Sequence, residues 1–94
     1  MYATVRRYEG VTDPGEAGRR VQQGFVPILQ GMPGFVAYYF ADSGDGTMIS
    51  TSVFESSEGA EESTRRASAW VAENLAELLP NPPMVTAGEV VASS

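Results

Sequence analysis

Apolar side chains in this sequence recur at two different spacings, and the order in which those spacings alternate is the strongest constraint on its fold. Residues 2–9, Tyr-Ala-Thr-Val-Arg-Arg-Tyr-Glu, have the β-branched and aromatic content of a strand, which Gly10 ends. Asp13-Pro14-Gly15-Glu16 then supplies an N-cap and a proline at the first helical position. Ala17, Val21, Phe25, Ile28 and Leu29 follow at helical spacing; Pro27 is expected to kink or tighten the last turns, and Gly31 with Pro33 closes the helix. Phe35 to Phe40 and Thr47 to Phe54 read as strands joined by Asp42-Ser43-Gly44-Asp45-Gly46, whose residues tolerate the positive φ of a tight hairpin. Ser56 or Ser57 caps a second helix whose core stripe is Ala60, Thr64, Ala67, Val71, Leu75 and Leu78. Pro80-Asn81-Pro82-Pro83 stops it, and Met84 to Ala92 forms a last strand. The order is βαββαβ.

A chain of 94 residues has room for one domain, spanning 1–94, with a single two-layer core. The βαββαβ order folds most simply as an α+β sandwich of the ferredoxin-like kind, a four-stranded antiparallel sheet with two helices on one face. That leaves the other face bare, yet the strand Phe35 to Phe40 has bulky residues on both sides. Strict alternation puts Phe35, Ala37 and Tyr39 on one and Val36, Tyr38 and Phe40 on the other. An uncovered apolar patch marks an interface or a ligand groove. Packing sheet on sheet in a homodimer covers it, at ~25 cal/mol for each Å² of apolar surface. A homodimer packed sheet against sheet is therefore the expected assembly.

The sequence contains neither cysteine nor histidine. Disulfides, thiolate metal sites and thiol catalysis are excluded, and so are the usual neutral-pH base, haem ligand and zinc ligand. The net charge of -6 argues against nucleic acid as a partner, since the basic residues are only six arginines in three short pairs. No apolar run approaches the ~20 residues of a membrane span. The first residues read as a strand and lack the apolar core of a secretory signal, so a cytoplasmic location is expected. Asp42 and Asp45 flank glycines, but the loop is too short for a calcium site and lacks a distal bidentate glutamate.

Three stretches carry a resemblance. Phe25-x-Pro27-x-Leu29-x-x-x-Pro33-Gly34-Phe35-x-x-Tyr38, the strand residue Phe54, and Ser63-x-x-x-Ala67-x-x-Trp70-Val71-x-x-Asn74-Leu75 together resemble the antibiotic biosynthesis monooxygenase-like group of dimeric α+β barrel proteins. The resemblance runs from Tyr2 to Val91 and implies a dimer of ferredoxin-like chains with a cavity in each subunit between helices and sheet. Some members of that group oxygenate polycyclic phenols with O₂ and no metal or flavin, others degrade haem, and many small ones have no known activity. The haem-degrading members use an Asn, Trp and His set, which a chain without histidine does not complete. The quinol-oxygenating members imply cavity Trp, Asn, Tyr and Arg, residue types present here as Trp70, Asn74, Tyr38 or Tyr39, and Arg6 or Arg66. No cofactor is expected by that route.

Trp70 and Asn74 lie four apart, with Arg66 one turn earlier on the same flank of the second helix. They are the candidate catalytic residues: an indole wall, an amide for a substrate carbonyl or phenolate, and a cation for an anionic intermediate. The plainer account has Trp70 as packing, Asn74 bonded to backbone and Arg66 stacked on the ring. Tyr38, Tyr39, Arg6 and Phe54 are candidate substrate-binding residues, with Tyr38 and Tyr39 on opposite faces. A strand arginine on a buried face needs an acid or a ligand, and Glu89 and Glu9 are the acids expected to serve Arg6. The expected function is a cofactor-independent monooxygenase acting on a small aromatic quinol; the alternative is a non-catalytic small-molecule-binding or stress-associated protein.

Overall fold

The computed structural model describes residues 1–94. Strands β1 (Tyr2–Tyr8), β2 (Phe35–Asp42), β3 (Met48–Phe54) and β4 (Met84–Glu89) form one sheet in the order β2-β3-β1-β4, every neighbouring pair antiparallel. The helices lie on one face. The fold is thus the ferredoxin-like α+β sandwich expected from the order of periodicities. No helix is long and apolar enough to cross a membrane.

The first helical rod begins as α1 (Pro14–Arg20), where the Asp13 carboxylate accepts a hydrogen bond from the Glu16 N–H at 3.1 Å. It passes through a π-helical turn, Val21–Phe25, and ends as α2 (Val26–Gln30). The wide turn is the local answer to Pro27, which has no N–H to donate and whose ring crowds the preceding turn. The Val26 N–H reaches back five residues to the Val21 carbonyl, and the rod absorbs the proline without breaking. Helix α3 (Ser57–Asn74) is capped by Ser56, whose hydroxyl accepts from the Gly59 N–H at 3.2 Å. It stops at Asn74, before Leu75 and Leu78, yet both remain buried in the turn that follows.

Burial alternates along β1 and β3. Thr4, Arg6 and Tyr8 face the helices, as do Met48, Ser50, Ser52 and Phe54, while Val5, Arg7 and Ile49 point to the bare side. In β2 strict alternation fails. A β-bulge between Phe35 and Ala37 pairs Phe35 with Phe54 and leaves Val36 unpaired and exposed. Phe35 therefore joins Tyr38 and Phe40 in packing on the core, in place of the expected grouping with Ala37 and Tyr39. Its ring meets that of Phe54 edge-on at 5.7 Å. The bare face presents Val5, Ile49, Val36, Tyr39 and Met84, all exposed.

Candidate ligand cleft

The alternation of β1 carries Arg6 to the covered face, where it is 3% exposed. Its Nη2 donates to the Thr64 hydroxyl at 2.6 Å, and that hydroxyl donates in turn to the Ala60 carbonyl at 3.1 Å. No carboxylate reaches it. Glu9 pairs with Arg7 on the opposite face at 3.2 Å, and the β1–β4 register sets Glu89 against Tyr2 rather than Arg6. Neither expected acid serves this guanidinium, because each lies at the wrong register position. Of the six arginines, the five others are all ion-paired: Arg7, Arg19, Arg20, Arg65 and Arg66. Burial pulls the Arg6 guanidinium below its ordinary value, with Tyr8 and Tyr38 acting in the opposite sense. An arginine nonetheless stays charged in a protein.

Arg6 opens into a cleft of about 220 Å³ between sheet and α3. Arg6, Tyr8 and Val85 line its sheet side, and Thr64, Ser68 and Val71 its helix side. The segment 79–83 closes the third side. That segment is tied down at its start and its middle. Before it, the Thr12 N–H donates to the Leu78 carbonyl at 3.1 Å; within it, Asn81 Nδ2 donates to the Glu9 carbonyl at 3.0 Å. Pro80, Pro82 and Pro83 each have a fixed φ, so the wall is stiff before any ligand arrives.

Beneath Arg6 the packing is aromatic and nearly complete. Tyr38 meets Phe25 edge-on at 5.8 Å, and Trp70 lies against Phe25 with ring centroids 5.5 Å apart. The void left among Arg6, Tyr8, Tyr38 and Trp70 is only about 20 Å³, room for little more than one water. Trp70 sits in a notch that exists because residue 24 is glycine: a Cβ there would lie 2.8 Å from the indole. Burial pushes the Tyr38 phenol well above its ordinary value and raises that of Tyr8 as well. Both hydroxyls therefore remain protonated at neutral pH.

The structure brings Arg6, Tyr38 and Trp70 together and separates them from the other residues singled out by sequence. Asn74 Nδ2 donates to the Trp70 carbonyl at 2.9 Å on the exposed flank of α3. Arg66 turns to Glu62, one helical turn away, at 3.1 Å. Tyr39 is 69% exposed on the opposite side of the sheet, and Phe54 is fully buried under the first turn of α3. Thr64 and the proline segment are cleft residues to which the sequence pointed in other roles, and Ser68 is one that it did not single out. Thr64 was expected in the core stripe, and the prolines only as a helix stop. A polar Thr64–Ser68 step on a helix facing the sheet was the signal available.

No family model matches the sequence, and no protein of curated function is similar to it in sequence. Solved structures resemble it closely in fold. A protein of unknown function from Nitrosomonas europaea superposes with a TM-score of 0.78 at 23% identity, covering 99% of this chain and 91% of that one. The Rv0793 protein from Mycobacterium tuberculosis gives 0.75 at 18% identity, covering 99% and 97%. A monooxygenase from the gene ActVA-Orf6 of Streptomyces coelicolor, in complex with the ligand nanaomycin D, gives 0.72 at 21% identity, covering 98% and 92%. The chain has the antibiotic biosynthesis monooxygenase-like fold. At these identities the likeness is one of fold. Within the antibiotic biosynthesis monooxygenase-like fold, this chain is described by its own cleft and by the unpaired cation at its base.

Proposed function

We propose that the protein is a homodimeric, cofactor-independent monooxygenase acting on a small aromatic quinol bound over Arg6. The observation that carries the reading is a buried guanidinium, without a carboxylate partner, lining a stiff, partly apolar cleft of about 220 Å³. A quinol beside such a cation ionises more readily, because an opposite charge within about 4–6 Å lowers an acid's pKa by roughly 1–3 units. The same cation favours the anionic oxygen species formed as the electron-rich ring gives up electrons. The balance closes with O₂ alone. A hydroquinone gains one oxygen atom on a ring carbon and loses two hydrogens to become a hydroxyquinone; the second oxygen leaves with those hydrogens as water. Tyr8 and Tyr38, held protonated, act as hydrogen-bond donors and exclude water, and Trp70 completes the aromatic packing beneath.

The homodimer belongs to the same reading. A bare sheet face carrying Val5, Ile49, Val36, Tyr39 and Met84 is relieved by a second copy of the chain packed face to face. One observation favours the non-catalytic alternative, a small-molecule-binding protein. The ionisable residues lining the cleft are Arg6 and Tyr8, and neither is a base near neutral pH. Oxygen consumption against a panel of hydroquinones and anthrones separates the two. Uptake above the buffer rate is expected for the wild type, falling strongly in Arg6→Met and partly in Trp70→Phe. Asn74→Ala and Arg66→Ala, on the outer flank, are expected to stay near wild type. Absence of uptake across the panel from an intact protein overturns the oxygenase reading.

A further inference from the structure

We infer that the cleft is built for a single-ring aromatic monocarboxylate, its carboxylate on the Arg6 guanidinium and its ring among Val71, Leu79 and Val85. The inference rests on the cleft proposed above as the substrate site and names the class of molecule it takes. Charge is the first argument. Arg6 has five N–H donors, of which one is spent on Thr64, and no aspartate or glutamate lines the cleft. A buried cation left in this condition is strongly unfavourable, and an anion is the group that the surroundings lack.

The anion is more fittingly permanent than latent. A phenol, with a pKa of about 10, reaches the cleft neutral and finds no base to take its proton. A carboxylate, with a pKa of about 4, arrives already charged, and its two oxygens match the fork of a guanidinium in paired hydrogen bonds. The chain as a whole carries a charge of -6, which repels anions at a distance and disfavours a dianion most. Size sets the rest. An apolar cavity of about 150 Å³ admits benzene, so about 220 Å³ accommodates one substituted ring and is overfilled by three fused ones. Ser68 and Asn81 on the cleft wall offer partners for a ring hydroxyl. Joined to the oxygenase reading, the substrate is a dihydroxybenzoate with its hydroxyls para to one another, which sets one of them ortho to the carboxylate and so beside the same guanidinium, with donors left for both groups.

Benzoate and its neutral isostere benzamide test the charge, and an anthracene carboxylate tests the size, by calorimetry and by Trp70 fluorescence. Wild type is expected to bind benzoate about tenfold or more tightly than benzamide, and the anthracene carboxylate not measurably. Arg6→Met is expected to abolish the preference for benzoate while raising the thermal midpoint by about 4–8 °C, since it removes a buried unpaired charge. A structural arginine would do the reverse. Arg6→Lys keeps the charge without the fork and is expected to bind benzoate more weakly than wild type, which decides the matter should Arg6→Met fail to fold. Equal affinity for benzoate and benzamide overturns the inference, as does an unchanged preference in Arg6→Met or an undiminished benzoate affinity in Arg6→Lys. Benzoate binding without turnover of a dihydroxybenzoate leaves the carboxylate site standing and removes the oxygenase reading. Turnover of neutral hydroquinones with no benzoate binding overturns the carboxylate site and leaves the oxygenase.

Discussion

The two faces of the sheet each depart from the usual division of polarity. The face under the helices buries Thr4, Arg6, Ser50 and Ser52 among Tyr8, Met48 and Phe54, while the bare face carries Val5, Ile49 and Met84 beside the exposed ring of Tyr39. A half-covered antiparallel sheet ordinarily buries its apolar side and turns its polar side to water. Here the helices cover polar groups that a core does not need, and exposed apolar side chains stand on the far face. In the function proposed above, the difference separates ligand from assembly: groups that meet a ligand lie between sheet and helix, and groups that meet a second copy lie beyond the sheet.

If that division holds, the apolar side chains of the covered face carry the stability of the fold. Phe54 is its largest fully buried residue, packed on Phe35 and beneath Gly59. Phe54→Ala is expected to destabilise the fold by about 3–5 kcal/mol, measured by denaturant unfolding at fixed protein concentration. A loss of under about 1 kcal/mol would mean that the neighbouring aromatics close over the space and that the fold does not depend on this side chain. On the bare face, Ile49→Asp is expected to weaken self-association about a hundredfold, or ~2.7 kcal/mol, with the far-ultraviolet circular dichroism unchanged. Sedimentation velocity over a concentration series reads this directly. A wild type that stays monomeric throughout would assign the bare face to a different partner.

The sequence made the element order legible because each element is written in local terms. Asp13 and Ser56 cap helices, and Gly44 and Gly46 adopt the positive φ of the hairpin, at 88° and 87°. What stayed hidden depends on register. The bulge at Val36 follows from pairing Phe35 with Phe54 across two strands, after a turn in which Gly34 takes φ 78° and its carbonyl accepts from the Glu55 N–H at 2.8 Å. No periodicity in β2 alone announces it. Arg6 was recognisable as a residue in need of a partner, but the absence of one is a fact of β1–β4 alignment, which sets Val85 beside it and Glu89 two pairs beyond Ala87's neighbour Thr4 in the direction of Tyr2. Trp70, Asn74 and Arg66 share a stripe as the spacing requires, yet a stripe says nothing of which neighbour each side chain prefers. Glu62, four residues before Arg66, takes the cation that the site was expected to use.

The smallest expected effect tests the division most finely. Ser52 lies on the covered face between Thr4 of β1 and Tyr38 of β2, 1% exposed, and its hydroxyl has no hydrogen-bond partner. In an ordinary core such a group is a defect, because a buried donor or acceptor left unpaired forfeits about 1–3 kcal/mol. Ser52→Ala removes the hydroxyl and little volume, so the fold is expected to gain about 1 kcal/mol, or about 4–8 °C in thermal midpoint for a domain of this size. Arg6→Met is expected to shift stability in the same direction from the same face. Two buried polar groups whose removal stabilises the protein would mean that this surface is maintained for what it binds, at the expense of the fold it belongs to. A loss of stability in Ser52→Ala would instead make the hydroxyl part of the core's own bonding, and the covered face would then differ from the bare one only in being covered.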